Sequence, residues 1–121
     1  MEGDKNLCAN LINGELKTLI EDTIFKKFGV TTDIHATVYP RYVDIADNNN
    51  DVDKKMRGNK MLRSIFSSVS LGGTAWLEQE TGNVRMNLRV WYSHPNGGSN
   101  GRELGYLTVY TAKGKAKISQ Y

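Results

Sequence analysis

Between Val84, Met86, Leu88, Val90 and Tyr92 the chain sets Arg85, Asn87, Arg89 and Trp91 at a spacing of two. On a β-strand those two sets face opposite sides, so the cations and the ring project together from one face. Tyr106, Thr108 and Tyr110 alternate in the same way with Leu107 and Val109, and Lys113, Lys115 and Lys117 alternate with Gly114, Ala116 and Ile118. Interleaved rings and cations do the chemistry of recognition. Rings stack on the bases of a single-stranded nucleic acid while Lys and Arg neutralise its phosphates. The same residue types concentrate binding energy at protein interfaces. The competing reading is a solvated sheet face, of which Thr, Tyr, Arg and Lys are ordinary occupants.

A second basic cluster, Lys54, Lys55, Arg57, Lys60 and Arg63, flanks or lies within the polar segment 47–60. It is a candidate to wrap a phosphate backbone or an acidic groove, although a run of charge is more often a solvated face. Residue types for catalysis are sparse. His35, His94 and Cys8 lie far apart in the sequence with no local motif to join a nucleophile, a base and an orienting acid. His35 is expected as a surface or packing residue, and His94 as a strand terminator. Asp33 with Asp44, or Asp51 with Asp53, lack the spacing of a calcium loop. Gly72-Gly73 and the Gly-rich run 96–101 match neither a P-loop nor a dinucleotide fingerprint. The expectation is a non-enzymatic module with no cofactor and no metal.

These residues need a scaffold, and its periodicities are legible. Ile12, Leu16, Leu19, Ile20, Ile24 and Phe28 recur at helical spacing, predicting a helix within 7–28 that ends at Gly29, with Lys26 and Lys27 favourably placed in its last turn. Asn13-Gly14 is the alternative start, which would leave 7–12 as a separate turn or arm. Thr32, Ile34, Ala36 and Val38 predict a strand. The apolar parity then slips to Val43 and Ile45, so a bulge, bend or tight turn must fall near Tyr39-Pro40-Arg41. Residues 47–60 predict a mobile loop with little to bury, and 61–69 a short second helix. Strands over 74–80, 84–92 and 103–111 form a meander, extended by the alternating tail 112–121. The fold class is therefore α+β: an N-terminal amphipathic helix on an antiparallel sheet of about four strands, as one domain over 1–121. Cystatin-like and other helix-on-sheet domains share that order of elements, an architectural likeness that carries no function.

The 121 residues suit one core, and 39% hydrophobic with 24% charged residues is the composition of a folded domain, against global disorder. A single cysteine rules out an internal disulfide and a multi-cysteine zinc site. No secretory signal or membrane-spanning run is read at the N-terminus, so a cytoplasmic location is expected and a membrane partner is not. The net charge of +3 conceals a division. Residues 1–53 carry five Lys/Arg against ten Asp/Glu, and residues 54–121 carry eleven against three. Such asymmetry suits docking on a polyanion or an acidic protein. The preferred expectation is a small regulator or inhibitor that blocks a macromolecular partner, as phage-encoded host-modulating or anti-defence proteins do. The alternative is a single-stranded DNA- or RNA-binding module using the same face. Oligomeric state is not specified by the sequence.

Overall fold

The computed structural model describes residues 2–49, 51–57, 59–94, 96–111 and 114–119. Its elements are α1 (Glu2–Asn13), α2 (Lys17–Phe28), β1 (Ile34–Val38), β2 (Val43–Asp47), α3 (Val52–Lys55), α4 (Lys60–Ile65), β3 (Ser68–Leu77), β4 (Val84–Ser93), β5 (Ser99–Tyr110) and β6 (Lys115–Ser119). The fold is α+β. Six strands form one antiparallel sheet in the order β1-β2-β3-β4-β5-β6, each paired with its chain neighbours. α1 packs on β1, β2 and β3, and α2 packs on β6.

The apolar stripe at Cys8, Ile12, Leu16, Ile20 and Ile24 is buried throughout, yet it runs through two helices. An unbroken four-residue spacing hides the break. At the junction the Gly14 and Leu16 N–H groups both donate to the Leu11 carbonyl, and Leu16 begins α2 with no side-chain cap. Asn13 is engaged elsewhere: its amide donates to the Ala36 carbonyl (2.9 Å) and accepts from the Ala36 N–H (2.7 Å). Gly29 closes α2 at φ 71°, its N–H on the Phe25 carbonyl, as its freedom in the left-handed region allows.

The parity slip after Val38 is a tight turn between β1 and β2. There the Tyr39 N–H donates to the Tyr42 carbonyl and the two rings stack 5.0 Å apart. β1 is an edge strand, and helix side chains occupy its open side. The Ile34 N–H donates to Glu21 (2.9 Å), and the Ile34 carbonyl accepts from Lys17 (2.6 Å). Asn13 satisfies Ala36 in the same way. Burial alone would lower the Lys17 pKa, but hydrogen bonds and charge from Asp33 and Glu21 outweigh it and raise it. Edge strands left bare invite pairing with other chains. Asn13→Ala removes both bonds to Ala36 and is expected to lower unfolding free energy by about 1–2 kcal/mol. Chemical denaturation measures it, and an unchanged midpoint would show that the clasp contributes nothing.

Segment 47–60 departs from the expectation of little burial. It holds the helical turn α3, and Met56 behind it is fully buried in the core. The Lys55 carbonyl accepts from the Thr31 N–H, and the Asn59 amide donates to the Phe28 carbonyl. The short helix expected over 61–69 is α4, which ends at Ile65, while Ser68 and Val69 already belong to β3. β3 begins at Ser68 rather than Thr74, running through Gly72-Gly73. The tail reverses after Tyr110 and returns as a separate strand antiparallel to β5 instead of prolonging it. With the 30–46 segment divided into β1 and β2, the sheet has six strands rather than about four.

A line of small residues crosses the sheet at Leu88. On one side Leu88 opposes Gly73; on the other it opposes Gly105, where the register shifts so that Arg89 pairs with Glu103. Gly105 holds φ 116°, a bulge conformation that favours glycine and bends the strand carrying it. A Cβ placed on Gly73 would lie 1.8 Å from the Asn87 carbonyl oxygen, so β3 and β4 approach there at a distance only glycine permits.

Candidate functional site: the open face of the sheet

Val69, Leu71, Ala75, Val84, Met86, Leu88, Val90, Leu107 and Val109 point at the helices and are buried. The alternate residues form the other face, and the register aligns them in rows. Trp76, Arg85, Thr108 and Lys117 make one row. Thr37, Asp44, Thr74, Asn87, Tyr106 and Ser119 make the next. His35, Ala46, Gly72 and Arg89 follow, then Ser70 with Trp91. Tyr110 and Lys115 pair beyond the first row. The sequence-predicted residues Arg85, Arg89, Trp91, Tyr106, Tyr110, Lys115 and Lys117 thus share one face, while Lys113 lies outside the described residues.

The face is organised around two tryptophans. Trp76 meets Tyr106 edge-on, with ring centroids 6.2 Å apart and planes at 83°. The Arg85 guanidinium lies 5.7 Å from the centre of the Tyr106 ring, and its Nη1 donates to Glu78 at 3.0 Å. Donation from the Thr81 hydroxyl and then from Arg85 holds the Glu78 carboxyl below its usual range. Arg85 is therefore partly neutralised and fixed in place. At the other end Trp91 leans over Gly72: a Cβ there would touch its Cζ3 at 3.5 Å. Trp76 and Trp91 remain 38% and 43% exposed. Their rows are six residues apart along β4, about 20 Å at a strand's rise.

Parity alone leaves either Trp76 or Leu77 to point inward. The signal lay in the hairpin: pairing Leu77 with Val84 fixes Trp76 opposite Arg85 and hence on the outer face. Asp44, whose spacing from Asp33 does not suit a calcium loop, places a carboxylate on this face beside Thr37 and Thr74.

The loop cluster is not one surface. Lys55 is only 3% exposed and its ammonium pairs with the buried Asp47 carboxylate, which removes it from any docking role. Lys54 and Arg57 are exposed and line a shallow polar pocket with Asp33, Asn49 and Asp51. Lys60 is exposed at the start of α4, and the Arg63 side chain lies outside the described ones.

Of the candidate reactive groups, Cys8 is buried at the core and burial pushes its thiol up to about 11, the reverse of what a nucleophilic cysteine needs. His94 packs on Phe66 with centroids 4.8 Å apart, and its backbone N–H donates to the Gly98 carbonyl just past the end of β4. His35 is exposed on β1. Among the described residues no group of three or more His, Cys, Asp or Glu converges, and no helix is long and apolar enough to cross a membrane. No family model, curated protein or solved structure matches the chain.

Proposed function

We propose that this chain is a small non-enzymatic binding protein that docks the open face of its sheet on an acidic protein, acting as a regulator or inhibitor by covering that partner's surface. The observation that carries this reading is the pre-assembled cluster of Trp76, Tyr106 and Arg85, with exposed Trp91 at the other end of β4. Rings and guanidinium already held by one another lose little rotamer freedom on binding, which is what makes such residues hot spots. Lys115 and Lys117 supply flanking positive charge for an acidic partner. Nucleic acid is the weaker fit. Arg85 already lies over the Tyr106 ring, which also meets Trp76 edge-on, so that ring is less free to stack on a base.

The test is affinity capture from nuclease-treated host lysate with the native chain and with Trp91→Ala. One stoichiometric protein is expected, with affinity falling roughly thirtyfold or more on Trp91→Ala, while circular dichroism shows the variant folded. No stoichiometric protein, or capture indifferent to Trp91, would sink the reading. Oligonucleotide binding that weakens steeply with salt, with a slope reduced by about one in Arg89→Ala, would transfer the face to nucleic acid.

A further inference from the structure

We propose that the outer edge of β6 is a second docking site, for an acidic, extended peptide segment of a partner protein that adds to the sheet as a further strand. The two edges of this sheet are treated differently. On β1 the helix side chains of Asn13, Lys17 and Glu21 hydrogen-bond the outward N–H and C=O groups of Ile34 and Ala36. β6 pairs with β5 on one side only, and among the described residues no side-chain hydrogen bond of that kind occupies its other side. Alternate residues of a strand direct their backbone groups away from its partner, so β6 presents a ladder ready to be continued.

The chemistry beside that ladder selects its occupant. Between α2 and β6 lies a groove of about 510 Å³ whose apolar lining is Leu19, Ala116 and Ile118 and whose rim is Lys26, Lys27 and Lys115. Lys26 and Lys27 are exposed on α2, and Lys115 and Lys117 are exposed on the outer side of β6. A strand added here turns alternate side chains into the groove and the others onto the outer face. The complementary sequence therefore alternates apolar with acidic residues. A second copy of this chain fits poorly, because pairing β6 with its twin sets lysines against lysines, and like charges across strands are destabilising. This site uses β6 and α2 rather than the two tryptophans, so it stands whether or not the open face binds as proposed.

The experiment is fluorescence anisotropy of the full chain at low salt, using a labelled synthetic peptide of seven alternating valines and glutamates with Gly-Ser flanks. Binding is expected, with a loss of at least roughly tenfold when alternate peptide amides are N-methylated on the pairing side. A similar loss is expected in Lys115→Glu/Lys117→Glu, whose side chains share the outer face with the peptide's glutamates, and no change in Trp91→Ala. The matching lysine–valine peptide is expected not to bind. Absence of binding, indifference to N-methylation, or dependence on Trp91 would each overturn the edge site, the last by moving the peptide to the open face. A dimer of the chain strengthened by Lys26→Glu/Lys27→Glu would assign the edge to a second copy and overturn it as well.

Discussion

Gly73→Ala is expected to lower the unfolding free energy by about 3 kcal/mol or more, the scale at which backbone overlap forces structure apart. The added methyl would sit 1.8 Å from the Asn87 carbonyl oxygen and 3.2 Å from Leu88 Cα, both of them backbone atoms. No side chain can yield there, so β3 must move off β4 in the middle of its ten-residue pairing. Gly72→Ala is the control. Its methyl meets the Ile45 carbonyl at 3.2 Å and the edge of Trp91 at 3.5 Å, and Ala also restricts the unfolded chain, so a change of about 1 kcal/mol or less is expected. Urea denaturation of the two variants decides the matter, and equal midpoints would refute the close approach.

The same position illustrates how far the fold was legible. Strict alternation in 84–92 identified β4 and its two faces, and those faces are as the spacing predicts. Gly72-Gly73 obscured β3, because glycine has no side chain with which to declare a period. Its reason for being there is a partner strand far along the chain. The break between α1 and α2 was masked by the opposite cause: the buried stripe keeps helical spacing through the turn. The deciding interaction is Asn13 with Ala36, twenty-three residues away. Local period reads which side is wet, whereas these long-range contacts set where elements start and stop.

The candidate site divides along the same line. Arg85, Arg89, Trp91, Tyr106, Tyr110, Lys115 and Lys117 share a face because period-2 placement needs only the strand assignment and its register. That Arg85 is committed to Glu78 and Tyr106 could not be read, since both contacts cross turns or strands. The acidic excess of residues 1–53 also acquires specific structural roles. Glu21 guards the β1 edge, Asp33 holds Lys17, and Asp47 closes the segment before α3. The charge division of the sequence is thus in part a division between carboxylates that fasten loops and edges and cations left on the outer face.

Lys55→Ala is expected to cost about 3–5 kcal/mol, because removing one partner leaves the other charge buried. Asp47 and Lys55 have side chains only 1% and 4% exposed. Asp47 Oδ1 already accepts from the Asp33 and Asn49 N–H groups, while Oδ2 faces the Lys55 ammonium. That ammonium also donates to the Asn49 carbonyl, so its loss releases a second acceptor as well. The segment then has less to hold Met56 in the core. The double variant Asp47→Asn/Lys55→Met is expected to be more stable than Lys55→Ala, since it strands no charge. Lys54→Ala and Arg57→Ala, on exposed positions of the same segment, should stay within about 0.5 kcal/mol of the parent. Thermal or urea denaturation of these four variants separates a buried pair from a binding lysine. If Lys55→Ala were as mild as its neighbours and instead impaired partner capture, the ion pair would be incidental and the basic loop would regain Lys55 as a docking residue.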